Sequence, residues 1–442
     1  MKRCPECRRD YFDDSLVYCL DDGTLLLDGP GFSFPSSEQP TANFSEAPTV
    51  VDPKPEALKI PAAIDGRTLW RRKEVISILA LVVGAVVVVI GGMYWLKAPV
   101  VVEKKGVSQA AYDNYMRARV LVADESKDDT ESAIKLLEQT VNEEPQYGAA
   151  WATLARAYNV KSFYYAPPEE TERKQLNDNA KVAVEKAFAI DPNLADAHLA
   201  RGLLLWSHAA RFQHEQAVQS YKRAIELDPK LGEAHHQLAL VYYHIGLFDK
   251  AEAEISKALE INPANSLARY RYGVIDMYRG KYDEAYSFTQ STPLDIRPLL
   301  HESQEAMILF RLGRLDEAEK TIDASLAKFP NDGGGIATSV KAMILAKRGR
   351  ADDAMAAIAK AEEIGKDFGH FHHTAYNIAC VYAMLGKPDK AVVYLQMAAD
   401  DGFPCYPFFE RDELLKDISH EPRFRALLAR MKEQWQRYNA TL

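Results

Sequence analysis

The sequence predicts an all-α solenoid of about eight helix–turn–helix repeats, preceded by a small cysteine-bearing module and one transmembrane helix. Three observations carry this: a six-residue turn motif recurring at near-constant spacing, a run of 22 residues without a charge, and three cysteines within the first 19 positions. The composition is that of a folded chain, with 47% of residues hydrophobic and 26% charged. A net charge of −9 argues against a general phosphate-neutralising surface, because nucleic-acid binders carry a basic patch or stripe. The cysteines fall in two groups, Cys4, Cys7 and Cys19 against Cys380 and Cys405, too uneven for a disulfide framework.

Residues 1–27 begin with a CPEC turn and continue to CLDDG. A Cys-x-x-Cys turn lets two thiolates wrap one ion, and a second knuckle supplies the rest of a tetrahedron. The second knuckle keeps the spacing from Cys19 but offers Asp22 in place of sulfur. A carboxylate is an acceptable zinc ligand at about 2.0–2.2 Å. These residues resemble a bacterial zinc ribbon of the CPxC…CxxDG type. The resemblance implies zinc on Cys4, Cys7, Cys19 and Asp22, with Asp21 the other candidate for the last place. A degenerate ribbon is the competing reading; a redox dithiol fits less well, since no long helix follows the CxxC. Lys2, Arg3, Arg8 and Arg9 face Glu6, Asp10, Asp13, Asp14, Asp21 and Asp22, so residues 1–22 carry 4 − 6 = −2. A protein partner suits the module better than nucleic acid.

Residues 28–70 turn to Pro, Ser, Gly and small side chains without helical or strand period, the composition of a disordered linker. Residues 75–96, VISILALVVGAVVVVIGGMYWL, form the predicted span. At about 1.5 Å per residue they reach roughly 33 Å, enough to cross a hydrocarbon core of about 30 Å. Tyr94 and Trp95 end the run with aromatics that favour the membrane–water interface. No neighbouring segment is apolar enough to surround it as a core helix, and it begins too far along the chain for a cleaved signal peptide. Arg67, Arg71, Arg72 and Lys73 precede the span while Lys97 follows, a bias that places the N-terminus in the cytoplasm. Free thiolates also persist best in that reducing compartment.

Residues 107–403 form the array. The motif GLFDKA from Gly246 recurs as GKYDEA from Gly280, GRLDEA from Gly313, GRADDA from Gly349 and GKPDKA from Gly386, spaced by 34, 33, 36 and 37 residues. Glycine ends the first helix of each unit, Asp caps the second, and Ala sits where the two pack closely. A proline stops the second helix after Ile190-Asp, Leu227-Asp, Ile261-Asn and Phe329. The array resembles the tetratricopeptide repeat, a helix–turn–helix of 34 residues. The match is most specific at 232–265, where Leu238, Ala239, Tyr242, Gly246, Ala251, Ile255, Ala258 and Pro263 occupy the signature positions. The resemblance implies a right-handed superhelix whose first helices line a concave groove that binds protein segments. The insertion KSFYYAPPEETER in the second unit and SFTQSTPLDI in the fifth depart from the repeat pattern, and regular stacking is expected to break at those two places. Residues 404–442 read as a last amphipathic helix capping the open end, since a terminal repeat must not expose its apolar face. With AYDNYMRARVL, this tail resembles the ends of repeat domains in bacterial membrane signalling proteins, in which one membrane helix joins a cytoplasmic module to repeats outside.

The repeat register directs His236, Tyr243, Tyr270, Met277, Tyr278, Met307, Phe310 and Met343 toward the groove, where thioethers and aromatics suit a protein partner. Packing between helices is the alternative role for each. The Lys/Asn carboxylate clamp of chaperone-tail binders is absent at these positions. His370, His372 and His373 form the one histidine cluster, either a polar groove face or metal ligands. Cys380 reads as a small packed residue. No P-loop, HExxH, GxSxG or kinase motif occurs, and Asp332-Gly-Gly-Gly joins two repeats. The sequence therefore predicts a non-enzymatic adaptor or sensor scaffold in a bacterial inner membrane, its repeats periplasmic or otherwise extracytoplasmic and its zinc ribbon cytoplasmic. The alternative is a transcriptional or signalling regulator acting on DNA or a cytoplasmic effector through the ribbon.

Overall fold

Eight helix pairs follow one another among the described residues. In the computed structural model these residues are 106–442, apart from 124, 166–169, 292–296, 331 and 366–367, together with the pairs 2–3, 10–11 and 27–28. The pairs form a small antiparallel sheet of β1 (Lys2–Arg3), β2 (Asp10–Tyr11) and β3 (Leu27–Asp28) in the order β2-β1-β3. Cys4, Cys7, Cys19, Asp22, the linker at 28–70 (Asp28 aside) and the span at 75–96 lie outside the described residues. Among the described residues, no helix is long and apolar enough to cross a membrane. The chain divides into two compact units; every helix below lies in one, and of the other, Pro30–Gly106, only Gly106 is described.

The pairs are α1 (Gln109–Ala123) with α2 (Lys127–Glu143), α3 (Gly148–Val160) with α4 (Glu170–Ile190), α5 (Ala195–Leu205) with α6 (His214–Leu227), and α7 (Gly232–His244) with α8 (Phe248–Ile261). They continue as α9 (Ser266–Arg279) with α10 (Tyr282–Ser291), α11 (Pro298–Arg311) with α12 (Leu315–Lys328), α13 (Ile336–Lys347) with α14 (Ala351–Gly365), and α15 (Phe371–Met384) with α16 (Pro388–Asp400). The last five pairs each close through the recurring glycine. Gly246, Gly280, Gly313, Gly349 and Gly386 all lie in the left-handed region, with φ between 64° and 78°. The next amide then reaches back five residues, as in Leu247 N to the Tyr242 carbonyl at 2.8 Å, and satisfies a carbonyl the helix would leave open.

The motif's aspartate does not cap. Asp249 and Asp316 sit one residue inside their helices, where a negative charge favours the helix N-terminus, and α8 and α12 have no side-chain cap. They pair instead with the arginine preceding the next turn, Asp249 with Arg279 at 2.6 Å and Asp316 with Arg348 at 2.5 Å. Both carboxylates are exposed, so each bridge contributes about 1 kcal/mol or less. The Asp/Asn-Pro signature works as a turn: Asp228 and Asn262 are extended, as a residue before proline must be. Each accepts the amide two residues on, at 3.0 Å. At the Asp332-Gly-Gly-Gly junction, the Asp332 carboxylate accepts the amides of Ala337 and Thr338 and so caps α13.

The C-terminal segment holds α17 (Tyr406–Arg411), a 3-10 stretch at Glu413–Ile418 and α18 (Pro422–Thr441). It does more than cap the array's end. Besides α11, α15 and α16, it packs against helices some 160 to 220 residues earlier. The Trp435 indole donates to the Gly246 carbonyl at 3.0 Å, Lys222 donates to the Leu442 carbonyl at 2.5 Å, and Arg437 pairs with Glu215 at 3.1 Å. The inserted segment of the second unit also turns inward. Its π-turn at Lys161–Tyr165 sets Phe163 against Trp206, Phe212 and His370.

Candidate functional site

A first helix that lined an open groove would keep one face wet. Here α7 is buried without a break from Ala234 to His244, and α13 and α15 are buried almost throughout. The physical reason is that two segments of the same chain occupy the inner face. The Tyr278 ring packs against Phe403 and Phe408 at 5.4 and 4.8 Å between centroids, Tyr376 against Phe409 at 4.7 Å, and the Cys405 thiol donates to the Tyr243 carbonyl at 3.5 Å. The expectation of an open groove over His236, Tyr243, Tyr278, Met307, Phe310 and Met343 is therefore corrected: all six are buried. Tyr270 and Met277 remain half-buried. Cys380 and Cys405 are both buried free thiols, and burial pushes Cys405 up to about 12.

Asp412 fixes the C-terminal segment in place. Its carboxylate takes both Arg311 guanidinium nitrogens at 2.5 and 2.8 Å, accepts the Tyr376 hydroxyl, and caps the 3-10 stretch through the Leu414 amide at 2.9 Å. Burial opposes its charge, but Arg311 outweighs this and holds Asp412 below the usual carboxylate value.

A second buried network ties the early repeats to the middle ones. Glu233 pairs with Arg156 at 3.1 Å and accepts Gln237 at 2.7 Å; Gln237 also reaches Glu125 at 3.3 Å. Glu125 in turn pairs with Arg297 at 3.2 Å, and Arg297 lies over the Tyr164 ring at 4.3 Å. Arg271 hydrogen-bonds the His236 ring. Burial again opposes the Glu233 charge, and Arg156 with His236 outweighs it. Glu125 supports this network from a left-handed backbone, φ 49°.

The histidines His370, His372 and His373 come together at the start of α15, and the structure adds His244 from the end of α7. One ring nitrogen from each lies within 4.8 Å of the others. Burial pushes all four imidazoles down, His373 to about 3, and the neighbouring imidazoles push His244, His370 and His372 further. Sequence reading missed His244 because it lies 126 residues before His370. The available signal was a lone histidine in LALVYYHIG, a helix end apolar on every side.

Comparison with known proteins agrees with this architecture. Models of the tetratricopeptide repeat match residues 211–246, 232–265 and 304–367. Anaphase-promoting complex subunit 3 of Schizosaccharomyces pombe is 25% identical over 198 residues, 45% of this chain and 27% of that protein. Hsp70-Hsp90 organizing protein 2 of Arabidopsis thaliana is 25% identical over 27% of this chain and 20% of its own length. The chain thus spans about a quarter or less of these relatives. A Rap protein, solved in complex with competence and sporulation factor, superimposes with a TM-score of 0.57 at 14% identity, over 75% of this chain and 99% of the Rap chain. The described helices form an all-α tetratricopeptide-repeat solenoid.

Proposed function

We propose that this chain is a non-enzymatic, membrane-anchored adaptor or sensor scaffold. Its repeats take one protein partner, and its N-terminal module contacts another across a single span at residues 75–96. The eight-pair solenoid carries the reading, because stacked repeats share no chemistry beyond the long surface they present. The Rap protein of similar fold, solved with its factor, is an instance of this architecture holding a partner. The 22 uncharged residues support the anchor, the thiol spacing supports zinc on Cys4, Cys7, Cys19 and Asp22, and the flanking positive charges support a cytoplasmic N-terminus in a bacterial inner membrane.

The chain's own segments fill much of the inner face, so the partner's place is beside Tyr270 and Met277, the two groove positions that stay half-buried. A photo-crosslinking residue at Met277 of the full chain in its membrane tests this, with the exposed Val182 on α4 as the control site. A discrete protein adduct at 277 that is missing at 182 supports the assignment. Adducts only at 182 move the partner to the outer helices, and no adduct at either position overturns the adaptor reading for the repeats.

A further inference from the structure

We infer that His244, His370, His372 and His373 form a zinc site that clasps α7 to α15 across the interior of the solenoid. The inward nitrogens are His244 Nε2, 3.1 Å from His373 Nε2, and His370 Nδ1, 3.2 Å from His372 Nε2. Tetrahedral zinc with bonds of about 2.0–2.1 Å sets its ligand nitrogens about 3.3 Å apart. The four nitrogens, all within 4.8 Å of one another, therefore close on an ion with side-chain adjustments of about 1 Å.

The outward nitrogens decide which lone pairs are free. His244 Nδ1 meets the Leu240 carbonyl at 2.7 Å, and His372 Nδ1 meets the Asp401 carbonyl at 2.7 Å. A carbonyl only accepts, so both Nδ1 atoms carry the proton and both Nε2 lone pairs point inward. His373 Nδ1 faces the Tyr278 hydroxyl at 3.1 Å, and His370 Nε2 faces the Tyr164 hydroxyl at 3.4 Å. A hydroxyl donates or accepts. In the metal-free protein the tyrosines donate outward, while His370 and His373 donate inward to His372 and His244. On zinc binding the two inward protons move to the outward nitrogens, the hydroxyls turn to accept, and no proton need leave the protein. Every ligand then has the outer partner that orients metal-bound imidazoles in known sites.

The donor set points to a borderline transition ion. Four imidazoles without a carboxylate suit zinc, cobalt, nickel or copper(II) and exclude calcium and magnesium, which take oxygen. An enclosed four-ligand set is the structural-zinc pattern. Arg271 and Arg297 oppose a cation here, as does the N-terminus of α15. Arg297 is already paired with Glu125, and the Asp401 carboxylate lies 3.9 Å from His372. His370 and His373 are partly exposed and give the ion its way in.

The test uses the full chain with Cys4→Ser and Cys7→Ser, which removes the other expected zinc, titrated metal-free with zinc against a competing chelator. One zinc per chain is expected. His370→Gln/His373→Gln should weaken binding at least about 100-fold, and Tyr278→Phe, which removes only an outer hydroxyl, by about 10–100-fold. Circular dichroism of each metal-free variant checks that it is folded. No zinc bound by the folded parent, or the same affinity in the folded double histidine variant, overturns the site. An unmoved affinity in Tyr278→Phe overturns the outer-shell mechanism.

Discussion

Removing the Asp412 carboxylate tests whether the C-terminal segment is held by charge as well as by packing. Asp412→Ala leaves the Arg311 guanidinium buried, its side chain 7% exposed, facing a partner site that was 0% exposed. An uncompensated buried charge of this kind costs about 3–5 kcal/mol. The Tyr376 hydroxyl and the Leu414 amide also lose their acceptor, each worth about 1 kcal/mol. Because these losses are not additive, we expect about 4–5 kcal/mol in urea unfolding followed by tryptophan fluorescence, which Trp435 on α18 reports directly. Arg311→Met/Asp412→Leu removes both charges and should unfold within about 1–2 kcal/mol of wild type, since the desolvation cost disappears with the pair. If the single substitution costs less than about 1 kcal/mol, or the double costs as much as the single, the segment is not pinned in this way.

Acid should destabilise the repeats. Burial holds His214 at about 4 and His373 at about 3, against 6.5 unfolded, so the unfolded chain binds more protons below pH 6.5. Their contribution is complete above pH 6.5 and is lost as pH falls toward 4 and then 3, about 1.4 kcal/mol per pH unit per histidine; a metal-free unfolding midpoint unchanged between pH 6.5 and 4.5 would contradict it. Gly246→Ala should cost about 2–4 kcal/mol, because at φ 77° its Cβ would lie 2.5 Å from Pro407 Cδ. Gly280→Ala, at φ 78° with open space around it, should cost only about 1 kcal/mol; equal urea midpoints would refute the close approach of the C-terminal segment. Protease added to cells with an opened outer envelope and an intact inner membrane should digest the repeats and spare residues 1–27. Full protection of the repeats would sink the two-sided reading.

Local features were legible in the sequence because local chemistry sets them. The glycines of the turns and the Asp/Asn-Pro stops each satisfy helix-end groups within five residues, so the motif and its cause lie in one short stretch. The filled interior was not legible. Repeat register proposes which side of a helix faces inward, and it names His236, Tyr243 and Met343, all of which are buried. It does not tell that Phe403, Phe408 and Phe409 return from the C-terminal segment to cover that face. Thioethers and aromatics suit a binding groove and a packed core equally. The KSFYYAPPEETER insertion looked like a break in stacking; it supplies the Phe163 and Tyr164 rings that meet His370.

A repeat array is ordinarily free to gain or lose units, because each touches only its neighbours. This one has given up that freedom. His244 and His373 meet across 129 positions, and Cys405 reaches Tyr243 across 162. Duplicating or deleting one pair between α8 and α14 would shift α15 away from α7 and leave both histidine faces without their counterparts. Selection then acts on the number of repeats as on a single residue, and any lineage that changes it must rebuild the closure in the same step.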